Sequence, residues 1–220
     1  MGHMASPRLA ALTSAPVTVS PARRLPQLAV GLWLYGASMA LQIRGALGLA
    51  PWDVLHEGLT KRTGLSFGTV TVVVGALVLL CWIPLRQRPG VGTVANVVLI
   101  GVAVDVTLAV LPAPVEPLPR IALLTSGIVL NALAAAIYIG ARLGPGPRDG
   151  LTTGFCARTG TSLRLVRTVI ELGVLTGGWL LGGTLGIGTV LYAVAIGPLT
   201  QAFLPRLTWV EVSPEPRPAS

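Results

Sequence analysis

The chain has 220 residues, of which 52% are hydrophobic and only 11% charged, against about 25% charged in an ordinary soluble domain. With a mean hydropathy of +0.75 and too few charges to cover a soluble surface, lipid must be part of its solvent. The net charge of +8 does not point to nucleic acid, because one lysine (Lys61) and fifteen arginines sit at the ends of apolar runs rather than in a basic tract interleaved with aromatics.

In chain order, Met1-Gly2-His3-Met4 reads as a cloning scar, and residues 1–26, polar and proline-bearing, are expected to be disordered. Six apolar runs follow, at 27–47, 67–85, 93–112, 120–141, 163–182 and 186–205. Each is close to the roughly 20 residues that a helix needs to cross the hydrocarbon core. None has the period-2 alternation of a barrel strand, so helices are the element that crosses. The expectation is an all-α polytopic membrane protein with six transmembrane helices. Three of them lie in residues 27–112 and three in 120–207, with a linker at 113–119 and a polar tail at 208–220. With the N-terminus in the cytoplasm, twelve basic residues fall inside, and four (Arg44, Lys61, Arg62 and Arg120) fall outside. That bias predicts that both termini are cytoplasmic.

The two halves are related at a fixed offset of 96 residues without a gap. Leu47-Gly-Leu-Ala-Pro-Trp-Asp53 aligns with Leu143-Gly-Pro-Gly-Pro-Arg-Asp149, and Arg62-Thr63-Gly64 with Arg158-Thr159-Gly160. Ser66 aligns with Ser162, and Gly90, Gly92 and Thr93 with Gly186, Gly188 and Thr189. Similar apolar runs alone would not match Pro, Asp, Arg, Gly and Ser in the connections. Each unit holds an odd number of spans, so the two copies are expected to lie in the membrane with opposite topology, the plan of many secondary transporters.

The shared motif, L-G-x-x-P-x-D-x-L-x-x-G-x-x-x-R-T-G-x-S, joins the first and second span of each unit. Pro51 and Pro147 suit the first turn of a helix, and Asp53 and Asp149 then face the positive end of its dipole. Gly64 and Gly160 suit a C-terminal stop, and Ser66 and Ser162 an N-cap for the next span. The connection is thus a short extra helix of about 10 residues, too short to cross. It is either re-entrant, aiming its end at a solute, or interfacial, with Trp52 as an anchor at the membrane surface. Leu49-Ala-Pro-Trp-Asp-Val-Leu-His-Glu-Gly-Leu59, Thr63-Gly-Leu-Ser-Phe-Gly-Thr69 and Leu143-Gly-Pro-Gly-Pro-Arg-Asp-Gly150 together resemble the YczE-like bacterial membrane proteins, related to the YitT group. The resemblance covers most of residues 30–205. It implies the bacterial plasma membrane and no particular activity.

Charges at membrane depth are costly and point to function. Glu171 lies mid-span, four residues after Arg167 and able to pair with it. Asp105 lies in the outer part of the third span. Their repeat mates, Gly75 and Gln201, are uncharged. Gln42, Asn96, Asn131, Tyr35, Tyr138 and Tyr192 are further polar groups at depth, of a kind that also bonds helices together. Gly173 with Gly177, and Gly178 with Gly182, have the spacing of close helix packing. Cys81 and Cys156 lack metal-ligand spacing, so no metal, cofactor or disulfide is expected. No P-loop, nucleophile elbow or HExxH is present, so the chain is not expected to be an enzyme.

The leading expectation is a small carrier whose polar solute binds between the repeats near Asp53, Asp149, Arg158, Arg167, Glu171 and Asp105. Arginines in the second motif favour an anionic or zwitterionic solute, although positive-inside bias alone would also place them there. The alternatives are a non-transporting membrane scaffold or regulatory partner and, behind it, an intramembrane enzyme using His56 and Glu57 beside Asp53.

Overall fold

A computed structural model describes Ser14 and residues 16–209. The cloning scar, most of the segment expected to be disordered and most of the polar tail lie outside the described residues. Among these residues the regular structure is helical throughout. The helices are α1 (Pro21–Gly45), α2 (Pro51–Thr63), α3 (Phe67–Leu85) and α4 (Val91–Val110), then α5 (Pro117–Gly140), α6 (Pro147–Thr159), α7 (Leu163–Leu180) and α8 (Ile187–Leu207).

Four helices, α3, α4, α5 and α8, are long and apolar enough to cross a membrane. The expected six are therefore met in part. Helix α7 concentrates Arg164, Arg167 and Glu171 in 18 residues. Helix α1 carries Gln27, Gln42 and Arg44, and is less apolar because it packs between protein elements, α4 and α5, rather than against lipid alone. It begins at Pro21, earlier than the expected start of order. Arg24 fixes that first turn by donating to the carbonyls of Pro16, Val19, Ala141 and Arg142.

The motif builds the short helices as its residues dictate. Pro51 and Pro147 start α2 and α6, each 13 residues long. At 1.5 Å per residue that is about 20 Å, short of the roughly 30 Å hydrocarbon core. Gly64 (φ 74°) and Gly160 (φ 68°) end them in the left-handed conformation, donating to Thr60 O and Cys156 O at 2.9 Å. Ser66 Oγ accepts from Thr69 N at 3.1 Å and Ser162 Oγ from Leu165 N at 3.3 Å, capping α3 and α7.

Contacts between the units are reciprocal at the same offset, as a two-fold relation requires. Gly92 N donates to Leu143 O at 2.9 Å, and its mate Gly188 N to Leu47 O at 2.8 Å. Arg24 Nε donates to Ala141 O at 2.8 Å, and its mate Arg120 Nε to Gly45 O at 3.0 Å. Each guanidinium thereby caps the C-terminal carbonyls of the other unit's first helix, where a cation also suits the dipole. Helices α1 and α5 pack on one another at the centre. The short helices are exchanged between units, α2 lying on α7 and α6 on α3. The architecture is an all-α membrane protein with inverted-repeat-like packing.

One relation breaks the symmetry. Helix α3 packs along α4, but their mates α7 and α8 do not pack together. At Gly101 an added Cβ would lie 2.7 Å from Gly68 O, so the bare backbone lets α4 close on α3. At its mate Gly197 a Cβ would meet nothing within 4 Å. Gly173 and Gly177 likewise face open space, so the expected small-residue packing of α7 is made at Gly178 alone, which seats against Val54 and Leu55 of α2.

Candidate functional site

Between the units, where α7 and α8 stand apart, lies a cavity of about 370 Å³, at the small end of the roughly 300–1,000 Å³ typical of small-molecule sites. The N-terminal turns of both short helices line it, with Pro51 and Trp52 from α2 and Pro147 to Asp149 from α6. Arg167 and Glu171 of α7 and Tyr192 and Gln201 of α8 face them.

A second space, of about 30 Å³, adjoins the first and shares Tyr35, Trp52, Asn96, Ile100, Pro147 and Arg148 with it. It is lined by Thr71, Val74, Gly75, Asn96 and Ile100. At the 96-residue offset these are the mates of Arg167, Ile170, Glu171, Tyr192 and Ile196, all of which line the large cavity. The small space beside α3 and α4 is thus the repeat counterpart of the part of the large cavity that lies beside α7 and α8, and the two adjoin through their shared residues.

Trp52 and Arg148 are repeat mates, and they meet. The Arg148 guanidinium lies 4.9 Å over the Trp52 ring and 3.6 Å from Asp53 Oδ1. Trp52 is therefore buried between the repeats, which speaks against the alternative in which it anchors the short helix at the membrane surface. Asp53 is buried and also lies 3.5 Å from His56 Nδ1. Burial lowers the His56 pKa, opposed by Asp53, so the imidazole is neutral. It sits edge-on to Phe67 with Thr71 Oγ1 at 3.3 Å.

Asp149, the mate of Asp53, is placed differently. It opens to the cavity, and among the described residues no cation lies within ion-pair distance of it. Its side chain is exposed to the cavity, yet desolvation by the protein around it raises its pKa above the ordinary carboxylate value, against the pull of Arg167 and Arg148. Arg167 Nε donates to Glu171 Oε1 at 2.8 Å. That pair is open to the cavity, 58% and 38% exposed, so its net contribution is about 1 kcal/mol or less.

Of the expected site residues, Asp149, Arg167 and Glu171 line the cavity, and Asp53 reaches it through Arg148. Asp105 and Arg158 lie elsewhere. Asp105 accepts from Ser66 Oγ at 2.5 Å and from Gly68 N at 2.7 Å, fastening α4 to the start of α3. Arg158 donates to Pro84 O at the exposed end of α3. Glu57 accepts from Thr184 N at 2.6 Å and pairs with Lys61 at 2.8 Å, so it caps the α7–α8 connection. Arg148 was missed, because the Trp52/Arg148 position is one of several in the motif at which the two copies differ. The tyrosines and asparagines at depth divide between roles. Asn131 bonds Ser38 at 2.8 Å and Tyr192 at 3.0 Å, joining helices α1, α5 and α8, and both Asn131 and Tyr192 also line the cavity.

Comparison with known proteins gives kinship without chemistry. Residues 22–205 match the model of a family of unknown function, DUF6198. The chain is 37% identical over 177 residues to an uncharacterised protein of Haemophilus influenzae, covering 80% of this chain and 81% of that one. It is 35% identical over 178 residues to the uncharacterised membrane protein YczE of Bacillus subtilis, covering 80% and 83%. YyaS of the same organism, also uncharacterised, is 27% identical over 180 residues, covering 80% and 90%. No solved structure matches.

Proposed function

The chain belongs to the DUF6198 family of bacterial multi-pass membrane proteins, whose function is unknown, and we propose that it is a small secondary carrier moving a small polar solute through the space between its two repeats. The paired spaces carry this reading. A fixed scaffold has no need of two repeat-related spaces, of about 370 Å³ and about 30 Å³. A carrier that rocks one repeat against the other has both, and exchanges them. Gly197 supports the same motion, since it repeats a close-packing glycine at a place where nothing is packed.

In this reading α1 and α7 also cross, giving six spans, and α2 and α6 are re-entrant with both N-terminal turns at the solute. Arginine placement puts both termini in the cytoplasm, so the open space faces inward and the collapsed one outward. Single cysteines placed at repeat mates test it, in a chain with Cys81 and Cys156 replaced by serine. Ile170→Cys, in the open space, should react with an impermeant reagent from the cytoplasmic side. Val74→Cys should react from outside, slowly, in the minor population that has exchanged. Conditions that speed one reaction should slow the other. Fast labelling of Ile170→Cys under every condition, with none at Val74→Cys, would mean a fixed cavity and a scaffold.

A further inference from the structure

We propose that the cavity takes a small organic cation with one positive charge, an alkyl- or quaternary ammonium, with Asp149 as its counter-ion. The inference rests on the carrier reading for the purpose of the cavity, and on charge and shape for its occupant. Two guanidiniums, Arg148 and Arg167, stand among three carboxylates, Asp53, Asp149 and Glu171. Arg148 is engaged by Asp53 and the Trp52 ring, and Arg167 by Glu171. His56 is neutral. One negative charge is left uncompensated, and it is Asp149. Of the arginines that favoured an anion on sequence grounds, the two that line the cavity, Arg148 and Arg167, already hold counter-ions, and Arg158 donates instead to a backbone carbonyl outside it.

Shape agrees with charge. At Gly146 the bare backbone opens a point toward which three polar groups converge. A Cβ there would lie 3.2 Å from Asp149 Oδ2, 3.4 Å from Tyr138 Oη and 3.8 Å from Asn96 Nδ2. The same cavity is lined by Tyr35, Tyr138 and Tyr192, and the Tyr35 and Tyr138 rings pack edge-on at 5.9 Å. A carboxylate among aromatic rings suits a weakly hydrated ammonium, whose charge is also attracted to ring faces. The cavity is far too large for a bare metal ion. No group of three metal-ligating side chains occurs among the described residues.

The test uses the purified full chain and four probes of similar shape and different charge. They are choline, its neutral carbon isostere dimethylbutanol, the zwitterion betaine and the anion dimethylbutyrate. Binding is read by equilibrium titration and by thermal stabilisation. Choline should bind, and the neutral isostere should bind at least about tenfold more weakly, since a charge-assisted contact is lost. Asp149→Asn should weaken choline by roughly tenfold to a hundredfold. Gly146→Ala should also weaken it, by filling the point without removing charge. That backbone (φ −63°) accepts alanine, as the repeat mate Ala50 shows at φ −58°. Three results would overturn the assignment: neutral or anionic probes binding as tightly as choline, unchanged choline affinity in Asp149→Asn, or no choline binding at millimolar concentration. Uptake of the same probes into proteoliposomes separates this from the carrier reading. Preferential uptake of the anion overturns the cation assignment and leaves the carrier standing. Choline that binds through Asp149 and never crosses overturns the carrier and leaves the site.

Discussion

Asp53 and Asp149 occupy equivalent places in the two repeats, yet replacing each by asparagine should have opposite consequences for stability. Asp53 is buried, 3.6 Å from the Arg148 guanidinium. At an effective dielectric of about 20 such a pair attracts by roughly 4–5 kcal/mol. Arg148 is 31% exposed, on the cavity side, so water recovers part of that loss, and its stacking on Trp52 remains. Asp53→Asn should therefore cost about 2–3 kcal/mol, a fall in Tm of roughly 4–12 °C for a chain of this size. Asp149 has no such partner, and Asp149→Asn should stay within about 0.5 kcal/mol of wild type or stabilise it. Thermal denaturation of both variants in the same detergent measures the contrast. The doubly altered Asp53→Asn/Arg148→Met protein should recover most of the loss, because no unpaired guanidinium is then left. Equal destabilisation by the two asparagines, or no recovery in the double variant, would refute this assignment of partners.

Asp105→Ala removes the acceptor that holds Ser66 and Gly68 N, so α3 and α4 should part more readily; labelling of Val74→Cys from outside should rise several-fold, and an unchanged rate would show that the clasp does not hold that space shut. Gly101→Ala should destabilise by about 1–3 kcal/mol through overpacking against Gly68, whereas Gly197→Ala should leave Tm unchanged and slow the exchange of accessibility between the two spaces; equal effects on Tm would contradict the difference in packing. Because desolvation raises the Asp149 pKa, its effect on stability is absent below the ordinary carboxylate pKa and becomes unfavourable as pH rises through the raised value. The Tm of Asp149→Asn relative to wild type should therefore increase with pH over that window, and a gap that shrinks would reverse the sign of the desolvation effect.

Much of the frame was legible because loops are punctuated by residues with narrow backbone roles. Proline at a first helical turn, glycine at a left-handed stop and serine at a cap recur in both units, and each does what its chemistry requires. The start and stop of α2 and α6 followed from these. Arg24 and Arg120 also match at the offset, and their capping of each other's helices was open to inference from the repeat. They were counted for topology instead, because positive-inside bias explains any arginine at a span end equally well. Other features were not legible. The partner of Asp105, Ser66, lies 39 residues away and was accounted for as a cap, which it also is. That Trp52 and Arg148 touch is a fact about the axis: residues at one position in two copies meet only where the axis passes between them, and a sequence does not say where that is. The parting of α7 from α8 left no mark either, because their glycines suit close packing in whichever state makes it.

The pattern of matches and mismatches itself bears on function. Residues that agree across the repeat, such as the motif Pro, Gly and Ser positions and the Gly92 and Gly188 backbone bonds, build the frame. The polar residues around the paired spaces largely disagree: Arg167 against Thr71, Glu171 against Gly75, Arg148 against Trp52, Tyr192 against Asn96. A duplicated structure needs agreement wherever both copies must adopt one geometry. It can diverge wherever each copy contributes once to a shared site. Asp53 and Asp149 agree in type and diverge in setting, because the position that is Trp52 in one copy is arginine in the other, and that arginine supplies a counter-ion to the first copy's aspartate. That single difference gives Asp53 a cation and leaves Asp149 without one on the cavity. Restoring symmetry with Arg148→Trp should accordingly leave Asp53 buried without a cation. This change should be more damaging than Asp53→Asn. Adding Asp53→Asn to Arg148→Trp should then improve stability, reversing the sign of that substitution in the wild-type background. A further loss of Tm on combining them would show that Arg148 is not the partner on which Asp53 depends.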